Sequence, residues 1–320
     1  MVNVVALQQP LLHFLMKMAG VKKHLVEIIP GTVMNFWVPS ETLKISKHVE
    51  NVPSCETNMN ITKPNKPVIV LIHGFAAEGI VTWQFQIGSL TKHYSVYVPD
   101  LIFFGDSFSD SSERSPAFQA ECLRNGLKIL GVEKCTVVGF SYGGMVAFKM
   151  AEMYPDLVEN MVVSGSILAM SDSISDATLQ SLGFSSSSEL LLPTSVDGLK
   201  ALFSVASYTK FWFPHRVYKD YLEVMFNNRK ERAELLQGLI VSNKNTTIVP
   251  IFEQKRIHLL WGDDDQIFKF ELAKNMKEQL GQMATYQSIE KAGHLVHLER
   301  PCAYNKCLKQ FLDSLQENQA

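Results

Sequence analysis

Cys135-Thr136-Val137-Val138-Gly139-Phe140-Ser141-Tyr142-Gly143-Gly144-Met145-Val146-Ala147-Phe148-Lys149-Met150-Ala151-Glu152 is a β-branched apolar run, a glycine-rich hexapeptide and a good helix former in succession. In that strand–turn–helix setting G-x-S-x-G reads as a nucleophile elbow. Glycine is required beside the serine because a Cβ there would collide with the adjoining strand or helix. The turn lifts the Ser141 hydroxyl clear of a sheet. It also sets the next backbone N–H at a helix N-terminus, where it can stabilise an oxyanion.

Strand-like and helical runs alternate on both sides of this block, the pattern of a mostly parallel sheet wrapped by helices. Candidate strands are Leu25–Ile29, Val33–Val38, Val68–His73, Ser95–Pro99, Cys135–Phe140, Leu157–Ser164, Ile257–Trp261 and Thr285–Ser288. Several are continuous apolar runs, as expected of strands covered on both faces. The fold class is therefore α/β, with an eight-stranded, mostly parallel sheet. The helix before the elbow strand opens at Ser115-Pro116, an N-cap followed by proline at the first helical position, and stops at Gly131. The helix after the elbow ends near Tyr154-Pro155.

Residues 170–250 break the alternation. They carry the run Ser185–Ser188 and many aromatics, among them Phe203, Phe211, Trp212, Phe213 and Tyr221. This stretch reads as a helical lid inserted into a core made of residues 1–169 and 251–320. Such an insertion lies over the C-terminal ends of the strands, where open α/β sheets bind ligands. Phe103, Phe104, Phe211, Trp212 and Phe268 are the candidates for substrate contact.

A serine hydroxyl needs a base within hydrogen-bond reach and a third group to orient that base. For an elbow serine, the acid and then the histidine follow along the chain. The strand Ile257–Trp261 runs into Gly262-Asp263-Asp264-Asp265. Asp265 is the candidate acid because the apolar Gln266-Ile267-Phe268 can return the chain to the site. Asp263 and Asp264 fit turn chemistry. Lys291-Ala292-Gly293-His294 supplies the base, His294. His297 fits packing or capping on the opening turn of the last helix, and His73 fits shaping the loop His73–Gly79. The N–H groups of Phe75 and Tyr142 are the candidate oxyanion donors. No metal site and no phosphate-cradling loop emerges, and no cofactor is called for.

Bulk properties bound the partners. The 320 residues are 46% hydrophobic with a net charge of −2, and the pI is near 6.5. Neither favours nucleic acid. Five cysteines (Cys55, Cys122, Cys135, Cys302, Cys307) show no paired spacing, which points to reduced thiols and a cytoplasmic location. Leu11–Ala19 is apolar but interrupted by His13 and Lys17. It lacks the features of a secretory signal and is too short to span a bilayer. It reads as a helix, at about residues 8–19, docked on the domain, with weak peripheral membrane association as the second reading. The sequons Asn60-Ile61-Thr62 and Asn245-Thr246-Thr247 would matter only in a secretory setting.

Five blocks agree in order and spacing with the α/β-hydrolase fold superfamily, which the chain resembles from about residue 23 to residue 315. They are His73-Gly74-Phe75, Asp100-Leu101 with Gly105 and Ser107, Gly139–Gly144, Trp261–Asp265 and Ala292-Gly293-His294. Within it the chain is similar to serine hydrolases of the monoacylglycerol-lipase and meta-cleavage-product-hydrolase type, especially a plant-like branch. The resemblance implies Ser141, Asp265 and His294 as a triad. Epoxide hydrolases and haloalkane dehalogenases share the lid but carry Asp at the elbow, so Ser141 argues against both. Phe103 stands where the superfamily usually has glycine, which implies a bulkier loop near the substrate. Phe75-Ala76-Ala77-Glu78-Gly79 replaces the glycine-rich stretch usual in carbon–carbon bond hydrolases, which favours an ester substrate, and the aromatic lid favours an apolar one, so the expected partner is a small hydrophobic ester. Carbon–carbon cleavage or acyl transfer with the same triad, and a ligand receptor built on the fold, are the alternatives.

Overall fold

The computed structural model describes residues 3–45, 59–241, 252–253 and 256–317. Cys55, Asn245 and the end of the predicted lid, 242–250, lie outside the described residues. The main strands are β1 (Val21–Ile29), β2 (Thr32–Pro39), β3 (Val68–Ile72), β4 (Ser95–Pro99), β5 (Cys135–Phe140), β6 (Val158–Ser164), β7 (Arg256–Gly262) and β8 (Ala284–Ile289). Their order is β1-β2-β4-β3-β5-β6-β7-β8, and the two-residue strand Phe108–Ser109 pairs with β2. The β1–β2 and β2–β4 pairs are antiparallel. From β4 to β8 every pair is parallel. β1 begins four residues earlier than expected because Val21 is buried while Lys22 and Lys23 face solvent, a half-exposed pattern that the apolar run does not mark.

The period of two in each strand divides the core into two layers. Val68, Val70 and Ile72 of β3 join one cluster with α2 (Pro116–Ile129), α3 (Tyr142–Met153) and α9 (Phe270–Leu280). Ile69 and Leu71 face the other cluster, with Trp83, Leu90 and α10 (Pro301–Glu317). Between β6 and β7 lie α4 (Asp172–Leu182), α5 (Ser187–Leu191), α6 (Val196–Ala206), α7 (His215–Met225) and α8 (Arg229–Leu239).

The N-terminal helix α1 spans Val4–Met18, starting before the expected residue 8. Asn3 caps it through Oδ1 to the Ala6 N–H at 2.9 Å. The Val4 N–H donates to Asp220 Oδ2 at 2.7 Å, and Gln9 donates to Glu78 at 2.9 Å. The helix is thus fastened at once to inserted helix α7 and to the core. No helix among the described residues is long and apolar enough to cross a membrane. The four described cysteines are free.

Candidate active site

Ser141 sits between β5 and α3 with φ 52° and ψ −120°, a backbone region rare for a residue with a side chain. Such a conformation costs about 1–3 kcal/mol and persists only where its surroundings hold it. Here the Ser141 N–H donates to the Ser164 carbonyl at 2.9 Å, and the Ser166 hydroxyl donates to the Ser141 carbonyl at 2.7 Å. The flanking glycines have a steric reason. A Cβ on Gly143 would lie 2.3 Å from the His73 carbonyl oxygen, and one on Gly144 would lie 2.5 Å from the Ser166 Cβ. The helix start is pressed directly against the end of β3.

His294 Nε2 lies 3.0 Å from Ser141 Oγ, and His294 Nδ1 lies 2.9 Å from Asp265 Oδ2. Both His294 and Asp265 are buried. The other Asp265 oxygen, Oδ1, accepts the N–H groups of Ile267 and Phe268, each at 2.9 Å. The Trp261 indole donates to the Phe268 carbonyl at 2.8 Å and closes that turn. Asp263 and Asp264 stay exposed, their backbone N–H groups bonded to Ile289 and Ala292. The Gly293 N–H donates to Glu299 Oε2, and the Thr209 N–H donates to Glu299 Oε1, both at 2.7 Å. One carboxylate thus ties the histidine's loop to the segment after α6.

The Phe75 N–H has no acceptor among the described residues, and the Tyr142 N–H opens α3, where a helix offers none. Gly74 abuts Ser141, since a Cβ on it would come within 3.3 Å of the serine Cβ. Two N–H groups with no acceptor among the described residues thus lie on the segments that adjoin Ser141. His73 anchors this loop from beneath. Burial pushes its imidazole down to about 4, so it is neutral at pH 7. Its Nδ1–H donates to the Gly74 carbonyl at 2.6 Å, and Nε2 accepts the Leu101 N–H at 2.9 Å.

His297 lies in the short helix Val296–Glu299. It is fully buried against Phe140, Trp83 and Tyr304, and neither ring nitrogen has a hydrogen-bond partner among the described residues. Burial first, and the neighbouring His294 second, push it down to about 3.

Above the serine is a cavity of about 470 Å³, walled by Phe75, Leu202, Phe211, Phe213 and Ile267, with Ser141 and His294 at its floor. It has an apolar lining with a few convergent polar groups, the usual composition of a small-molecule site. Of the five aromatic candidates, only Phe211 lines it. Phe103 turns away, with φ 75° and its ring 4.5 Å under the Arg114 guanidinium. Its carbonyl accepts from Asn228 and Arg232 of the inserted helical segment, each at 3.1 Å, so the residue fastens that segment and lies outside the cavity lining. Phe104 is fully buried behind Phe75 and His73, with Arg232 stacked 4.2 Å over its ring. Phe268 is buried beside His294 at 5.8 Å between ring centroids. Trp212 projects outward and borders a second recess, which shares Phe203, Phe211 and Phe213 with the cavity.

Sequence reasoning missed the wall that α1 supplies through Val5, Leu11, Leu12 and Leu15. Its signal was the helix's two apolar stripes, one more than docking on the domain requires.

A family model described as the alpha/beta hydrolase fold matches residues 67–301. Monoacylglycerol lipase abhd6-A of Xenopus laevis is 23% identical over 285 residues, 84% of this chain and 82% of that protein. Epoxide hydrolase 4 of Mus musculus is 31% identical over 102 residues, 31% of this chain and 28% of that protein. Matches to the first curated relatives span only 28% of those proteins' length. The structure of a membrane phospholipase A superposes with a TM-score of 0.73 at 20% identity, covering 98% of this chain and 91% of that one, a likeness of fold. A sheet in the order β1-β2-β4-β3-β5-β6-β7-β8, an elbow after β5 and a family match over most of the chain lead to one statement: this protein belongs to the alpha/beta hydrolase family.

Proposed function

We propose that the protein is a serine hydrolase that cleaves a hydrophobic carboxylic ester through an acyl-enzyme intermediate. The observation that carries this reading is the hydrogen-bonded series Ser141–His294–Asp265 at the floor of an apolar cavity. Ser141 Oγ bonds to the ester carbon as its proton passes to His294 Nε2. Asp265 holds the imidazole in the tautomer with Nδ1–H and stabilises the imidazolium. The Phe75 and Tyr142 N–H groups stabilise the oxyanion, each such donor being worth about 10²–10³ in rate. The intermediate collapses, the carbon–oxygen bond to the alcohol breaks, and His294 returns the proton to the leaving oxygen. Water repeats the sequence on the acyl-enzyme and frees the acid. Membership of a plant-like branch of serine hydrolases, and a cytosol-like compartment suited to free thiols, belong to the same proposal.

A fluorophosphonate probe tests it. The wild type is expected to be labelled covalently at one site and Ser141→Ala to be silent. Equal labelling of both proteins, or none of the wild type, would overturn the reading.

A further inference from the structure

Helix α1 has two apolar faces. Val5, Leu12 and Met16 turn toward the protein, while Leu7, Leu11, Phe14, Leu15 and Met18 form a second stripe at helical spacing on the outside. Leu7 is 61% exposed, Phe14 56% and Met18 70%. The helix cannot roll to hide that stripe, because Asp220 and Glu78 pin it on two sides. Beside it, residues 208–216 are exposed throughout. Phe211 and Phe213 stack on each other at 6.0 Å and line the cavity, and Trp212 between them points outward at 83% exposure. Leu11 and Leu15 likewise both line the cavity and face solvent. The exposed patch and the cavity wall are thus one continuous surface surrounding the mouth.

We propose that this rim docks on the surface of a lipid bilayer bearing anionic lipid, with the cavity mouth facing the membrane. Two observations choose a bilayer over a second protein. Residues 1–26 and 198–219 themselves contain no acid, although the whole chain is net negative at −2, and the acids that border them, Asp220, Glu223 and Glu78, are bonded to Val4, Asn3 and Gln9 of the N-terminal segment. A recess next to Trp212 gathers Lys200 and Lys210, two cations at the border for lipid phosphates, of which Lys200 also pairs with Asp197 at 3.2 Å. An apolar helical stripe with an indole at the boundary and flanking cations is the composition that binds an interface in its plane. The docking stands apart from the reaction assigned to Ser141. Only the delivery of a membrane-borne ester into the cavity rests on that reading.

Tryptophan emission makes the test direct, because Trp37, Trp83 and Trp261 are buried and Trp212 alone of the four is exposed. Vesicles of phosphatidylcholine with about a quarter phosphatidylglycerol should pull the wild type and Ser141→Ala down on sedimentation and shift the emission to the blue. Trp212→Phe should still sediment but lose the shift. Leu7→Ser/Phe14→Ser/Trp212→Ser, whose positions lie outside the cavity lining, should bind about ten-fold more weakly or less, with a circular dichroism spectrum like the wild type's. Should that variant unfold, Trp212→Ser alone carries the comparison. Wild type left in the supernatant, or weakened variants that bind like the wild type, would overturn the proposal. So would a wild-type dimer that these substitutions dissociate without any vesicle binding, since the face would then be an interface between copies.

Discussion

The floor and the roof of the cavity are held by different kinds of contact. At the floor, main chain meets main chain. Gly143 packs on the carbonyls of His73 and Ile72, Gly262 on that of Gly293, and Ser141 is held in an unfavourable conformation by Ser164 and Ser166. At the roof, side chains from α1, α6 and the 208–216 loop meet, and the inserted helices are fastened to the rest by side chains, through Arg232, Asn228, Glu299, Asp220 and the Arg114–Glu234 ion pair. Backbone against backbone cannot yield to a methyl group, whereas an apolar wall can repack. The floor therefore tolerates almost no change of shape. The roof is free to change residue by residue, and with it the molecule that fits beneath.

Four measurements would break or sharpen that contrast. Replacing His294 by Gln should lower ester turnover by about 10⁴-fold or more while leaving thermal stability near wild type. A small loss of rate would show that the floor's chemistry lies elsewhere. Gly143→Ala should cost more than about 3 kcal/mol, or prevent folding, because its methyl would meet two carbonyl groups that have no room to move. A soluble variant with normal denaturant unfolding would contradict the rigid floor. Arg232→Met removes bonds to Phe103, Met225 and Asn227. It should cost about 2–4 kcal/mol and render the lid sensitive to limited proteolysis before the sheet. Uniform cleavage would mean that the roof is not separately fastened.

The smallest effect concerns pH. His297 is held neutral by burial, down to about 3, against an ordinary value of about 6.5 when unfolded. Below pH 6.5 the unfolded chain binds the proton that the folded one refuses. Stability therefore falls as pH drops from about 6.5 toward 3. His297→Phe should remove about 2 kcal/mol of that loss at pH 5, seen as a flatter dependence of the unfolding midpoint on pH. His73, lowered to about 4, titrates with the same sign and remains in the variant, so some acid sensitivity should persist.

The floor is also what the sequence makes legible. Each of its three polar groups is marked by local punctuation: Ser141 by glycines that a tight turn demands, Asp265 by a strand ending in Gly262, and His294 by Gly293. Strands buried on both faces appear as apolar runs such as Val68–Ile72. The roof offers no such marks. Its wall is assembled from Leu11, Leu202 and Ile267, residues far apart in the chain and ordinary in their own helices or turns. Phe103 and Phe104 lie outside the cavity lining for a physical reason. Their position near the site follows from the loop, but the direction of each ring depends on φ and on partners such as Arg114 and Arg232 that lie far away in sequence.

Glu299 gives one end of the roof a particular mechanical character. Its two oxygens are shared between Gly293, next to the histidine, and Thr209, next to the aromatic loop. Leu295 adds a third tie, from its N–H to the Ala206 carbonyl at 3.0 Å. Lifting the roof at that end would pull on the segment that carries the imidazole, so the shape of that edge and the spacing of His294 from Ser141 are mechanically linked. The opposite edge, where α1 meets α7, is tied instead from Val4 to Asp220, at a distance in the chain from the histidine. A single carboxylate thus decides which edge of the cavity is moored to the imidazole.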